Sequence, residues 1–170
     1  MRSLYSLGLS FLTPVYLLRL LRRSLSEPLY RHDLPGRLGY GRQRAPKDCV
    51  WIHAVSLGET RAAEPLIAAM RELDPSLSLL LTHGTATGWS AGTPLMRPGD
   101  FQAWLPYDTP GAVRRFLRRH RPSLCVLIET EVWPNLIHHA HKFAVPVVLA
   151  NARLSKRSQI KAEKYSALMR

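Results

Sequence analysis

Past position 48 the chain alternates between two hydrophobic periods. Residues 50–55, 77–82, 101–105, 123–128 and 146–150 are short apolar runs with Gly, Pro or Ser at many of their ends, and each predicts a buried strand. Between them the spacing changes to that of helices. From 60 to 73, Ala63, Leu66, Ile67, Met70 and Leu73 recur on one face, with Arg61, Glu64, Arg71 and Glu72 largely on the other. Pro65 fits within or just after a first helical turn, which sets the expected helix start at 59–62. Residues 111–120 predict a helix that buries Val113, Phe116 and Leu117 and exposes Arg114, Arg115, Arg118 and Arg119. A further helix is expected to start at Thr130 or Glu131, with Trp133 and Pro134 in its first turn, and a last one to run from about Ser155 onward. Such alternation predicts an α/β fold: a mostly parallel sheet with helices on both faces and right-handed crossovers.

Ahead of this body the pattern is different. Residues 4–21 are mostly apolar, interrupted by Ser6, Ser10, Thr13 and Pro14 and followed by Arg22 and Arg23. Roughly 20 apolar residues are needed to cross a bilayer, so the run is marginal as a span. It fits a signal peptide less well, since no small-residue cleavage site precedes the basic cluster. An anchor or interfacial helix is expected at 1–23, with a helix packed on the domain as the plainer alternative. Residues 24–47, rich in Arg, Pro and Gly, read as an irregular basic connector. In it Arg31, Arg37, Arg42 and Arg44, with Arg22 and Arg23, are candidates to meet lipid headgroups. Residues 48–170 form the α/β domain.

Charge narrows the class of partner. The 170 residues carry a formal net charge of +12, which suits phosphorylated ligands, an anionic membrane surface or nucleic acid. No nucleic-acid motif accompanies the charge, so no nucleic-acid partner is expected. Cys49 and Cys125 fall in predicted buried strands and read as core residues. His120, His138, His139 and His141 read as solvated helix positions, with no second ligand cluster to complete a metal site.

Chemistry concentrates where predicted strands end. The first strand runs through Ser56 and Gly58 into a helix whose first turn carries Glu59, and in open α/β sheets ligands collect outside the carboxyl ends of strands. Ser56-x-x-Glu59 is also a capping-box pattern, in which the carboxylate only completes a helix start. The second strand ends in His83-Gly-Thr-Ala-Thr-Gly88, whose hydroxyls and backbone N–H groups suit an anion. The fourth runs into Glu129-Thr-Glu131-Val-Trp-Pro-Asn135. Two acidic turns on one edge look more like a site than two caps do. A carboxylate within hydrogen-bond reach of a hydroxyl can take its proton as that hydroxyl attacks.

His53-Ala-Val-Ser-Leu-Gly-Glu59-Thr, Leu105-Pro-Tyr-Asp108, Glu129-Thr-Glu131-Val-Trp-Pro-Asn135 and Asn151-Ala-Arg153-Leu-Ser155, in this order and spacing, resemble the N-terminal half of the 3-deoxy-D-manno-octulosonic acid (Kdo) transferases. The resemblance implies the Rossmann-like N-terminal, acceptor domain of a GT-B glycosyltransferase. It implies inverting transfer of Kdo from CMP-Kdo to a lipid A precursor on the cytoplasmic side of the bacterial inner membrane, in lipopolysaccharide biosynthesis. Glu59 matches the general base, and Glu131 matches a second carboxylate that stabilises the transition state. Ser56, Gly58, Thr85, Thr87, Gly88, Glu129, Asn135 and Arg153 are the candidate substrate contacts. No cofactor and no metal is expected. The resemblance places most of the CMP-Kdo site in a second, donor-binding domain that the 170 residues do not include. The alternative is a truncated, non-catalytic module that binds lipid A or the membrane.

Overall fold

The computed structural model describes residues 2–129 and 133–152. In chain order the elements are α1 (Arg2–Arg23), β1 (Val50–His53), α2 (Leu57–Leu73), β2 (Leu79–His83), α3 (Ala86–Gly92), β3 (Phe101–Trp104), α4 (Pro110–His120), β4 (Leu124–Ile128), α5 (Pro134–Lys142) and β5 (Val147–Ala150). The five strands form a parallel sheet in the order β3-β2-β1-β4-β5. The expected α/β, Rossmann-like architecture is what the chain adopts.

The sheet is covered on both sides because successive strand residues point to opposite faces. Cys49 and Trp51, with Leu80, Cys125 and Leu127, pack under Val113, Phe116 and Leu117 of α4 and Leu136 and Ala140 of α5. Val50, Ile52 and Ala54, with Leu79, Leu81, Val126 and Ile128, pack on Ala63 and Ile67 of α2. The near-continuous apolar runs at β1, β2 and β4 follow from this two-sided burial. β5 is at the sheet's edge instead, and Val148 and Leu149 are 47% and 40% exposed.

Several sequence expectations need correction. α2 begins at Leu57, so Pro65 is in its third turn and not its first. Pro65 and Arg61 both face solvent, so water can take the carbonyl that the missing N–H leaves free. Leu73 is 88% exposed, whereas Arg71, expected on the polar face, is buried. Arg71 donates to the Leu95 carbonyl at 2.8 Å and pairs with Asp100, whose carboxylate also accepts from Leu79 N and Arg97 N. α5 starts at Pro134 rather than at 130 or 131; proline's fixed φ suits a first helical position. His120 and His139 are buried, not solvated, and His120 Nδ1 accepts from Ala45 N at 3.1 Å. On α4, Arg114 and Arg118 are exposed as expected. Arg115 instead donates to the Leu38 carbonyl and lies 4.0 Å over the Tyr40 ring, and Arg119 is half-buried. Arg37 is buried as well, its guanidinium 3.8 Å over the Trp104 ring, so it does not face lipid. The expected helix from Ser155 lies outside the described residues.

α1 lies along the domain with its more polar side inward. Tyr5, Ser6, Tyr16 and Leu20 face the body, and Tyr16 stacks on Tyr107 at 4.3 Å. The outward side carries Leu4, Leu7, Phe11, Val15 and Leu18, each more than half exposed. The two faces are thus inverted relative to a surface helix of a soluble domain, which turns its apolar stripe to the core.

Candidate active site

Strand order fixes where a site can form. From β1 the chain steps outward through β2 to β3, then crosses back to β4 on β1's other side. The reversal opens a crevice outside the carboxyl ends of β1 and β4, the place where open α/β sheets bind ligands. The turn after β1 leads to Glu59, and the turn after β4 begins with Glu129.

The β1–α2 turn is closed by its own residues. Ser56 is the N-cap of α2: its Oγ accepts from Glu59 N at 3.4 Å and donates to Glu59 Oε1 at 3.0 Å. Glu59 Oε2 accepts from Val55 N at 2.6 Å. The capping box expected from sequence is therefore present, with the carboxylate reaching one residue beyond the cap. These bonds fix the rotamer of Glu59, which is 8% exposed, and leave each oxygen a further lone pair for a hydroxyl. A capping role and a role as base use different lone pairs of the same carboxylate.

The β2–α3 loop is laid against this turn. The Val55 carbonyl accepts from Gly84 N, Thr85 N and Thr85 Oγ1 at 3.0, 3.0 and 3.1 Å. Thr85 also caps α3 through Gly88 N, and its hydroxyl is 3.3 Å from that of Thr87, which is exposed. Gly88 is required by this closeness, since a Cβ there would be 3.0 Å from the Val55 carbonyl oxygen and 3.1 Å from the Ser56 carbonyl carbon. The structure thus gathers Ser56, Gly58, Glu59, Thr85, Thr87 and Gly88 at one corner. Gly58 is exposed, and a Cβ there would meet nothing closer than Ser56 Oγ at 3.9 Å.

Beneath the corner are two histidines that sequence reasoning passed over. His53 ends β1 and is fully buried, with Nδ1 2.9 Å from Thr82 Oγ1. His83 ends β2, with Nδ1 3.0 Å from the Ala54 carbonyl and 3.3 Å from Thr60 Oγ1. Burial holds His53 down to about 3 and His83 down to about 4, so both are neutral at pH 7.

The β4–α5 side is built differently. Glu129 is half-buried in a left-handed conformation, φ 61°, and its N–H donates to the Ala150 carbonyl. Asn135 is fully buried, with its side-chain amide bonded to the Asp108 carbonyl, Ser6 and Arg2, so it is turned away from the crevice. Glu131 and Arg153 lie outside the described residues. Asp108, absent from the expected site residues, is 1% exposed and accepts from Asn135 N, Leu136 N and Tyr5 Oη. It lies in the loop after β3, four residues past Trp104, and no local pattern marks it as a cap. Among the described residues no group of His, Cys, Asp and Glu is arranged to hold a metal ion.

Comparison with known proteins gives the family. A family model described as 3-deoxy-D-manno-octulosonic-acid transferase (kdotransferase) matches residues 32–170. A 3-deoxy-D-manno-octulosonic acid transferase of Bordetella pertussis is 46% identical over 166 residues, 92% of this chain and 38% of the relative. One from Haemophilus influenzae is 41% identical over 137 residues, 79% of this chain and 32% of the relative. One from Rickettsia prowazekii is 38% identical over 110 residues, 64% and 23%. The chain therefore spans well under half the length of these relatives. With the family model covering most of its residues, the chain belongs to the 3-deoxy-D-manno-octulosonic-acid transferase family.

Proposed function

We propose that this chain supplies the acceptor side of a GT-B glycosyltransferase that moves Kdo from CMP-Kdo to a sugar hydroxyl of a lipid A precursor. The observation that carries the reading is Glu59, held by Val55 N and Ser56 Oγ at the switch point of the sheet. In the proposed reaction Glu59 takes the proton of the acceptor hydroxyl while its oxygen bonds to the anomeric carbon of Kdo. The bond from that carbon to the phosphate oxygen breaks on the opposite side, CMP leaves with the electron pair, and configuration inverts. Glu131 is proposed to stabilise the developing charge. Ser56, Gly58, Thr85, Thr87, Gly88, Glu129 and Arg153 are proposed to contact substrate, whereas the buried amide of Asn135 suits a supporting role.

The acceptor is proposed to be met at the cytoplasmic face of the bacterial inner membrane. α1 is long and apolar enough to cross a bilayer, with a mean hydropathy of 1.4 in its most apolar window and 11% of that window buried. Its inward face is tied to the domain by Tyr5, Ser6 and Tyr16, which favours a helix lying in the interface with Leu4, Leu7, Phe11, Val15 and Leu18 in the acyl region. The exposed Arg22, Arg23 and Arg31 at its end suit anionic headgroups.

The test is a transfer assay with CMP-Kdo and a tetraacylated lipid A precursor. It is run on this chain alone and on this chain joined to the C-terminal part of the Bordetella pertussis relative. Transfer by the joined protein is the expected result. Vesicle binding with no transfer in either form would favour the non-catalytic lipid-binding module instead.

A further inference from the structure

The peptide group that joins Ala54 to Val55 is held on both sides. Its N–H, at Val55, donates to Glu59 Oε2 at 2.6 Å. Its carbonyl, at Ala54, is 3.0 Å from Nδ1 of His83, the last residue of β2. A carbonyl can only accept, so Nδ1 carries the proton of the neutral ring and Nε2 is left as an acceptor. The partner at Nε2 is the side-chain amide of Gln102 in β3, whose nitrogen is 3.1 Å away. That nitrogen donates its second proton to the Trp89 carbonyl at 2.8 Å, and Gln102 Oε1 accepts from Thr93 Oγ1 at 3.2 Å. A continuous line of hydrogen bonds therefore runs from the edge of the sheet, through Gln102, His83 and the peptide after Ala54, and ends on Glu59.

Every bond in this line donates in the same direction, toward the carboxylate, so each polarises the next. The peptide is planar, so fixing the Ala54 oxygen also fixes the direction of the Val55 N–H on its other side. The ring is itself held in place. His83 is fully buried, and Thr60 Oγ1 is 3.3 Å from Nδ1 while donating to the Ser56 carbonyl at 2.9 Å. A Cβ at position 92 would be 2.5 Å from His83 Nε2, so Gly92 is what lets α3 close over the ring. A second proton on the ring would set Nε2–H against the Gln102 NH2, and turning that amide over would set its oxygen against the Trp89 carbonyl. A histidine that only filled the core would need neither a single tautomer nor partners on both nitrogens.

We propose that His83 is a positioning residue for Glu59: from β2 it holds the peptide after Ala54 so that the Val55 N–H sets the carboxylate at the crevice. Gln102 fixes the tautomer of the ring from its far side. His83 acts through Glu59 and not on the substrate. The kinetic consequence rests on the transferase reading above; the line of hydrogen bonds does not.

The experiment uses the protein joined to the C-terminal part of the Bordetella pertussis relative, as wild type and as His83→Leu, His83→Asn and Gln102→Leu. Two readouts are taken: the amide proton shift of Val55 in protein isotope-labelled on valine, and transfer kinetics with CMP-Kdo and the tetraacylated lipid A precursor. In wild type the short bond to a carboxylate puts the Val55 proton far downfield. His83→Leu fills the space of the ring and offers no donor. The Val55 signal is expected to move upfield in it, and kcat to fall by about ten-fold or more, with KM for the acceptor within about two-fold of wild type. Asparagine can place a side-chain N–H where Nδ1–H stands, so His83→Asn is expected to return the signal toward wild type and kcat to within about three-fold. Gln102→Leu, at the half-buried start of the line, is expected to shift the signal by less than His83→Leu, and it decides the outcome if His83→Leu does not fold. An unmoved Val55 signal in the variants that fold would overturn the proposal. So would equal losses in His83→Leu and His83→Asn, since that is what a packing role alone predicts. If the signal follows this order but wild type transfers nothing, the positioning of Glu59 is supported and the transferase reading fails.

Discussion

Two turns leave the crevice end of the sheet, and they are held in opposite ways. The turn after β1 caps itself: Ser56 and Glu59, three residues apart, satisfy each other and the Val55 N–H. The turn after β4 imports its cap, with Asp108 arriving from another loop and Tyr5 from another helix. A self-capped turn needs no side chain from a distant helix to satisfy its first N–H groups. An imported cap ties the start of α5 to a contact with α1. The carboxylate proposed as base is on the first kind of turn, where a fixed geometry serves proton transfer. The start of α5 is of the second kind, where the cap is shared with Tyr5 of α1.

Acid separates the two turns most strongly. His53 and His83, under the first turn, are held down to about 3 and 4 by burial, against about 6.5 in an unfolded chain. The unfolded chain therefore takes up protons that the folded one refuses, and the stability present above pH 6.5 is lost as pH falls toward 4. Each histidine approaches a slope of about 1.4 kcal/mol per pH unit, on the order of 6 kcal/mol for the two together across that interval. Asp108, under the second turn, is pushed up to about 6 by burial, against the pull of the Asn135 amide, the Tyr5 hydroxyl and the Leu136 amide. Its contribution has the opposite sign: it is full below about 4 and is lost as pH rises through 6. Urea unfolding at pH 7, 5.5 and 4.5 should show the loss, and His83→Gln should flatten it. A flat wild-type profile would break the contrast.

Removing the caps ranks next. Asp108→Ala strands two buried N–H groups and a hydroxyl and is expected to cost about 3 kcal/mol or more. Ser56→Ala removes an N-cap on a half-buried turn and is expected to cost about 1 kcal/mol. Urea midpoints for the pair measure the difference, and equal losses would mean that the two turns are held alike.

This contrast also explains what could be read from the sequence. The Ser56-x-x-Glu59 spacing is local, so both the capping box and the position of Glu59 at a strand end were legible, as was the parallel sheet from its apolar runs. Asp108 was not, because its partners are 27 and 103 residues away and no periodicity links them. Arg71 and Asp100, 29 residues apart, were missed for the same reason, and Arg71 was placed on the polar face by its charge alone. Asn135 sat in the right block, yet whether its amide faces the crevice or the body depends on α1, which no local pattern records. α1 itself was legible as an apolar helix, but not the inversion of its faces, which follows from three polar contacts with the domain.

The most direct test of the account is the transfer rate of Glu59→Gln in the joined protein, measured beside its urea midpoint. Glutamine keeps one acceptor oxygen for Val55 N and can donate its amide N–H to Ser56 Oγ, so the fold should hold to within about 1 kcal/mol, as capping boxes accept Gln at this position. It cannot take a proton from the acceptor, and the account predicts a fall in kcat of about 10²- to 10⁴-fold. Near-wild-type turnover with the fold intact would contradict it, leaving Glu59 as a helix cap and nothing more.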